Sequence, residues 1–481
     1  MEILIVTPEL SPFARGSDAG DTVAALAKHL RQLGHEVTVL LPRFPGLEEQ
    51  GLLLARRLSP LVLRSGTEVG VLDGRLPSGV KLVAVDAQHY FERGGVYGNE
   101  QGEFTDNAQR FGLLGQAAVA LMLQHQDQGA RFDVVHLNDW PGALVPLLMR
   151  NESALRVPTV LTIHDVRRQG TFPKTELRSL GVAESDAESL QLGEQLNVLK
   201  SGLLLADAVT TVSDAYAEAF SKAEVSGPLA TFVAESKGVL GINNGVDYAV
   251  FNPAADPLIV SRYDAEDTAN KQRNKNALLL EQKLELQPRR PLIALLIDPA
   301  AKENLALLVA ALPSILKHDV SLVVATTGTQ GEPELLQEVA KMAARFPAVC
   351  ALTVLADEGA KRRLLAAADL YLSVDTTFAS SMLPVIAQRY GAVPVCLATE
   401  RTQDQVVDAD GELSTGTGFL YDDASALSLI GALERGLSAY ASPGWSALLR
   451  RVMRLDISWD RPVRRYLQIF RQTLAAQTER V

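Results

Sequence analysis

Two short stretches carry the residues best suited to chemistry. The first runs Pro8-Glu9-Leu10-Ser11-Pro12-Phe13-Ala14-Arg15-Gly16-Ser17-Asp18-Ala19-Gly20-Asp21, directly after an apolar strand and into a helical pattern. A glycine-containing turn between strand and helix presents backbone N–H groups that can hold an anion. The run is not GxGxxG, so a dinucleotide fingerprint is absent. Asp18 inside the turn favours a plain structural turn over a phosphate cradle. The second stretch is Thr162-Ile163-His164-Asp165. A histidine titrates near neutrality and serves as acid, base or hydrogen-bond donor, but one ending a strand is more often a satisfied core residue. Asp139-Trp140 and Tyr97 add a carboxylate and two aromatic rings. Such rings suit stacking on a sugar face, and they equally suit a turn and a filled core. Asn244-Gly245-Val246-Asp247 reads as turn chemistry with or without a ligand.

These residues sit at the ends of short apolar runs that alternate with helical patterns. Ile3–Val6, Val37–Leu41, Leu82–Val85, Val134–Leu137, Val160–Ile163 and Val209–Val212 read as buried parallel strands. Ala24 to Leu33 has helical spacing and stops at Gly34, a helix-ending signal, so a βαβ unit opens the chain. A second series, Leu292–Leu296, Val320–Ala325, Ala351–Val354, Leu370–Val374 and Val393–Leu397, follows a polar stretch from about Arg262 to Arg290. The expected organisation is therefore an α/β protein with domains at 1–260 and 291–457, a connection at 261–290, and an amphipathic helix at 458–481 carrying Trp459, Val463, Tyr466, Leu467 and Phe470. Ligands of open parallel sheets bind beyond the carboxyl ends of the strands, so the loops after strands matter most. Two such sheets facing each other would form a deep cleft.

Length and composition exclude other classes. A chain of 481 residues exceeds one ordinary core and calls for two domains. Its hydrophobic share of 47%, charged share of 21% and formal charge of −11 fit a globular protein and give no basic surface for nucleic acid. No apolar run approaches the ~20 residues of a membrane helix. The opening Met-Glu-Ile-Leu-Ile-Val reads as a strand without a basic leader, so a cytoplasmic protein is expected. Cys350 and Cys396 lie in apolar runs without metal-ligand spacing and read as buried free thiols.

Taken together, the motifs resemble the bacterial glycogen and starch synthase family, glycosyltransferase family 5. Its opening loop reads roughly E-x-x-P-F-A-K-T-G-G-L-G-D, against the Glu9 to Asp21 run. Further blocks fall in family order: Phe132-Asp133-Val134-Val135-His136-Leu137-Asn138-Asp139-Trp140, Thr162-Ile163-His164-Asp165, Gln169-Gly170, Ala206 to Ser213, Asn244-Gly245-Val246-Asp247, Arg389 to Val395, Val406 to Asp410, and Gly418-Phe419. The resemblance spans nearly the whole chain. It implies a GT-B fold, two doubly wound domains with the C-terminal helix crossing back to the first. It also implies retaining transfer of glucose from ADP-glucose to an α-1,4-glucan, with no metal and no cofactor. The residues standing at family positions are His164 as the catalytic position, with Glu9, Arg15, Asp21, Tyr97, Asp139, Trp140 and Asn244 toward the substrate.

The chain departs from the pattern where phosphate is held. K-T-G-G becomes Arg15-Gly16-Ser17-Asp18, losing the paired glycines at Ser17 and Asp18. S-R-L-T-x-Q-K-G becomes Ile297-Asp298-Pro299-Ala300-Ala301-Lys302-Glu303-Asn304, with Asp298 and Glu303 at the two cation positions; a one-residue shift restores only Lys302. The sugar-contacting glutamate becomes Phe378, the adenine-side tyrosine becomes Ala356, and T-G-G-L becomes Thr399-Glu400-Arg401-Thr402. Carboxylates in place of cations repel a leaving pyrophosphate, where one well-placed donor is worth about 3 kcal/mol.

Three functions are thus expected to compete. The favoured one is a glycogen-synthase-like protein with impaired or absent transfer, a pseudoenzyme acting in glucan binding or regulation. The second is an active synthase with a rearranged donor site using Arg15, Lys302 and Arg401. The third is an interaction module. An α-1,4-glucan or maltooligosaccharide is the expected partner, ADP-glucose a doubtful one, and a protein partner or homo-oligomer stays open.

Overall fold

The computed structural model describes residues 1–99, 102–233, 235–328, 331–376 and 381–479. The chain forms two compact units: residues 1–245 with 459–481, and residues 246–458.

The first unit is built on one large sheet. Along its main path the strands are β1 (Glu2–Val6), β2 (Glu36–Pro42), β3 (Leu54–Arg56), β4 (Glu68–Arg75), β5 (Lys81–Asp86), β6 (Val134–Asn138), β7 (Thr159–Ile163), β8 (Ala208–Thr211) and β9 (Val239–Gly241), and the two-residue strand Leu61–Val62 pairs with β4 off that path. The order is β9-β8-β7-β6-β1-β2-β5-β4-β3. Pairing is parallel from β9 to β5, and antiparallel where β4 and β3 extend the edge. The core strands are apolar without alternation because helices cover both faces, the pattern the sequence shows. Helix α1 (Ala19–Gln32) turns its apolar side to the sheet and stops where Gly34 takes a φ of +85°, a conformation that costs a side-chain-bearing residue energy.

The winding of this sheet reverses between β1 and β6, which are neighbours in space though far apart in sequence. Loops leaving the carboxyl ends of two such strands diverge to opposite faces and leave a crevice between them. The loop after β1 carries Glu9 to Asp21, and the turn after β6 carries Asp139 and Trp140.

The second unit has six parallel strands: β10 (Leu292–Ile297), β11 (Ser321–Thr326), β12 (Cys350–Val354), β13 (Leu370–Leu372), β14 (Val393–Leu397) and β15 (Phe419–Tyr421). Their order, β12-β11-β10-β13-β14-β15, repeats the same plan, with its reversal between β10 and β13. Cys350 and Cys396 are buried, free thiols within it.

The domain boundary differs from expectation. Residues 246–290 are neither the end of the first domain nor a connection, because they belong to the second unit. Helix α2 (Lys271–Glu281) runs through the expected linker. Its buried face includes Lys271, Asn274 and Lys275 beside Leu278 and Leu279, so the apolar periodicity that signals a helix is diluted by buried polar groups. Helix α3 (Lys302–Ile315) follows β10. Helices α4 (Ala426–Ala441) and α5 (Trp445–Met453) come late in the unit.

The last helix, α6 (Asp460–Thr478), belongs to the first unit. Trp459, Val463, Tyr466, Leu467 and Phe470 are buried with Ile3, Ile5, Val134 and Val160. Tyr466 and Phe470 lie 5.4 and 5.6 Å from the ring of His136. Among the described residues no helix is long and apolar enough to cross a membrane, and no group of side chains has the arrangement of a metal site.

Candidate functional site

In the first unit the crevice residues converge. Glu9 is 1% exposed, and its carboxylate accepts hydrogen bonds from the backbone N–H of Gly16 at 2.8 Å, the N–H of Ser17 at 2.6 Å and the Ser17 hydroxyl at 3.0 Å. The amides that the sequence offers to an anion are therefore held by a carboxyl group of the same chain. Burial raises the pKa of Glu9, while those hydrogen bonds and the charge of Arg168 act against the rise. The Arg15 guanidinium donates to Asp21 at 2.9 Å and to the Ser11 hydroxyl at 2.9 Å, an exposed pairing. Asp18 stands at the N-terminus of α1, and its carbonyl accepts from the Thr22 hydroxyl. Asn244 is buried and donates from its amide to the same Thr22 hydroxyl at 3.1 Å.

The turn after β6 is tight. Asp139 has a φ of +51°, a left-handed conformation that aspartate and asparagine tolerate better than most side-chain-bearing residues. It aims one carboxyl oxygen at the N–H of His164, 2.7 Å away. Burial drives the Asp139 pKa up to about 8, the His164 N–H opposes the shift, and the nearby charges of Glu9 and Asp165 add to it. Burial thus favours the neutral carboxylic acid, which can donate as well as accept.

His164, at the end of β7, is 7% exposed. Its Nε2 lies 3.0 Å from Oδ1 of Asn138, whose amide nitrogen donates to the carbonyl of Val6. With the Asn138 nitrogen so used, its oxygen faces the imidazole, and Nε2 must carry the proton and donate.

The aromatic residues sort differently. Trp140 is 5% exposed and packed by Phe111 at 5.0 Å edge-on, Phe172 at 5.4 Å and Tyr97 at 6.5 Å. Gly170, at φ +63°, lies so close that a Cβ there would sit 2.5 Å from the indole. The core-filling alternative describes this ring. Tyr97 is 6% exposed and has the Arg168 guanidinium 4.7 Å above its ring, and burial holds its hydroxyl far above the usual pKa. Sequence reasoning passed over Arg168 and Asn138. The available signal was position: Asn138 immediately precedes Asp139, and Arg168 follows His164 by one helical turn of sequence.

The expected donor residues lie at the carboxyl end of the second sheet. Asp298 directly follows β10, is exposed, and accepts from the N–H of Ala300 at 2.9 Å, making a turn of its own. Lys302 and Glu303 are exposed in the first turn of α3. Asn304, at the family's glycine position, donates to Asp375 at 3.0 Å and accepts from the hydroxyl of Thr376 at 2.9 Å. It thereby ties the loop after β10 to the loop after β13, across the reversal point of the sheet. Ala356 is exposed after β12. Glu400 and Arg401 open a short helix capped by Thr399 and Thr402, with Arg401 only 4% exposed. Phe378 lies outside the described residues.

The family described as "Starch synthase catalytic domain" matches residues 2–235. A glycogen synthase of Anaeromyxobacter sp. is 36% identical over 99% of this chain and 100% of its own length. A glycogen synthase of Syntrophotalea carbinolica is 31% identical over 98% and 99%. Among solved structures, the catalytic domain of Starch Synthase IV from Arabidopsis thaliana, bound to ADP and acarbose, superposes with a TM-score of 0.87 at 26% identity, covering 99% of both chains. Sucrose-phosphate synthase from Thermosynechococcus elongatus shares the fold at a TM-score of 0.63 and 15% identity, covering 99% of this chain and 100% of its own.

Proposed function

The chain belongs to the glycogen/starch synthase family of GT-B glycosyltransferases, and from that premise we propose that it recognises an α-1,4-glucan through its first unit but has lost most of its capacity to activate a phosphate-bearing glucosyl donor. The observation carrying this reading is the pair Asp298 and Glu303, exposed carboxylates on the loop and helix after β10, where the family motif has an arginine and a lysine. Departure of a nucleoside diphosphate from glucose builds negative charge on the leaving oxygen, and transfer requires fixed positive groups there. Two carboxylates reverse that field.

Other details support the same reading. Glu9 already takes the amides of Gly16 and Ser17, so a phosphate would have to displace a buried carboxylate. Arg401 is buried. The first unit offers groups suited to sugar hydroxyls: the carboxyl of Asp139, whose neutral form burial favours, and the imidazole of His164. Hydroxyls both donate and accept, and such groups satisfy them without demanding net charge. The physiological role would be glucan binding or regulation of a competent relative.

A second reading rests on Lys302, which is exposed beside Asp298 and Glu303 and would serve a rearranged donor site in an active synthase. The full-length protein incubated with radiolabelled ADP-glucose and maltohexaose separates the two. No transfer above background, with saturable maltohexaose binding and no ADP binding by titration calorimetry, is the expected result. Turnover of ordinary magnitude overturns the proposal, and absence of binding to any of these ligands leaves an interaction module.

A further inference from the structure

The second unit contains a cavity of about 740 Å³, inside the range of roughly 300–1,000 Å³ typical of small-molecule sites. It opens at the amino end of the sheet. Pro291, Val320 and Asp369 line it, and each immediately precedes a strand: β10, β11 and β13, three neighbours in the sheet. Asp298, Asn304 and Asp375 lie at the other end of the same strands, roughly 20 Å away by the rise of a six-residue strand. None of the motif blocks read from the sequence falls on this cavity.

Its charged groups are already committed. The Lys275 ammonium donates to Asp369 at 2.7 Å, to the carbonyl of Arg290 at 2.6 Å and to the Tyr440 hydroxyl at 3.2 Å. The Lys271 ammonium donates to the carbonyls of Ala366 and Tyr390 at 3.0 and 2.9 Å, and burial lowers its pKa to about 7. Asp319 is paired with Arg290 at 2.6 Å. An ionic ligand therefore finds little uncompensated charge inside, apart from Arg289 at the exposed rim. What the cavity does present is two half-buried rings, Tyr440 and Trp445, edge to face at 5.1 Å, with Thr268, Gln272 and His318 beside them. Aromatic faces bordered by hydrogen-bonding side chains match a pyranose, whose ring faces are apolar and whose edge carries hydroxyls.

We propose that this cavity is a second docking site, taking a short stretch of neutral α-glucan on Trp445 and Tyr440. The choice of glucan among neutral sugars rests on the glycogen synthase family reading. A polymer held at two places on one protein gains residence through effective concentration without any new contact at either place.

The experiment uses full-length protein labelled with fluorotryptophan, in which the three tryptophans are observed separately and Trp445 is assigned through Trp445→Phe. Maltohexaose should shift the Trp445 resonance in a saturable manner while Trp459, buried in the first unit, stays in place. Trp445→Ala should weaken this site about tenfold or more. Gln272→Trp, which adds bulk at the rim and removes no core contact, should close it and keeps the test valid should Trp445→Ala unfold. An unmoved Trp445 resonance, or a shift that survives Gln272→Trp, overturns the proposal. So does a shift produced by pyrophosphate in place of maltohexaose, which would mark the cavity as an anion site. Donor turnover is not read in any arm, so an active synthase would overturn the loss of donor activation and leave this result standing.

Discussion

Both sheets reverse their winding once, and the chemistry gathered at the two reversals is opposite in kind. At the first, between β1 and β6, carboxyl groups are buried and satisfied. Glu9 is held by loop amides, and Asp139 is held by the N–H of His164. At the second, between β10 and β13, the carboxylate of Asp298 is exposed, and Asn304 braces the two loops with its side chain. The fold supplies the place where a ligand can bind, and the loop residues decide which ligand that is. Loop changes that remove cations leave the apolar strands untouched, so donor chemistry can be lost while the fold is kept.

Introducing cations should break this contrast most sharply. Asp298→Arg combined with Glu303→Lys is expected to raise ADP affinity about a hundredfold or more, since a hydrogen bond to a charged group contributes about 1.5–3 kcal/mol. Calorimetric titration checks it, and unchanged affinity would show that these positions do not set the second site's preference. Next in size, Gly170→Ala should cost the first unit about 2–3 kcal/mol, because the new methyl meets the Trp140 indole at 2.5 Å and the backbone is left-handed. Urea denaturation followed by the resolved Trp140 resonance of fluorotryptophan-labelled protein measures it.

A third test concerns pH. The folded pKa of Asp139, about 8, lies above its unfolded value of 3.8, so over this interval the native state holds a proton that the unfolded chain has released. This group's contribution to stability is complete below about pH 4 and is lost as pH rises to about 8. Asp139→Asn, which keeps an oxygen for the His164 N–H, should flatten the decline in stability between pH 6 and 8; a curve parallel to that of the unmutated protein would contradict the buried, neutral acid. The smallest effect is expected from Asn304→Gly, which removes the brace at the second reversal at a cost of about 1 kcal/mol. It should speed hydrogen exchange at the Thr376 amide, which donates to Asn304 at 3.2 Å.

Much of this was legible beforehand, for reasons that differ by residue. Buried parallel strands write themselves as continuous apolar runs, so β1, β2, β6, β7, β10 and β11 could be placed to within a residue or two. The short strands β9 and β15 carry too few residues for any period to show. Helix α2 was hidden because Lys275 is neutralised by Asp369, ninety-four positions later, and a lysine in a polar stretch gives no sign of burial. At the site, Glu9, Asp139 and His164 stood out through their motifs. Asn138 and Arg168 did not, since the bond to the imidazole and the contact with the Tyr97 ring exist only between segments remote in sequence.

By itself the sequence determined the class of fold, the family motifs and the presence of Asp298 and Glu303 beside Lys302 after the strand β10. These depend on residue type, local period and order along the chain. Only the tertiary structure decided that Glu9 occupies the amides of Gly16 and Ser17, that Trp140 is enclosed, that residues 246–290 belong to the second unit, and that a cavity lies at the amino end of its sheet. Each of these depends on which distant groups meet and how deeply water is excluded from them, and burial is what turns a polar side chain into a brace or a neutral acid.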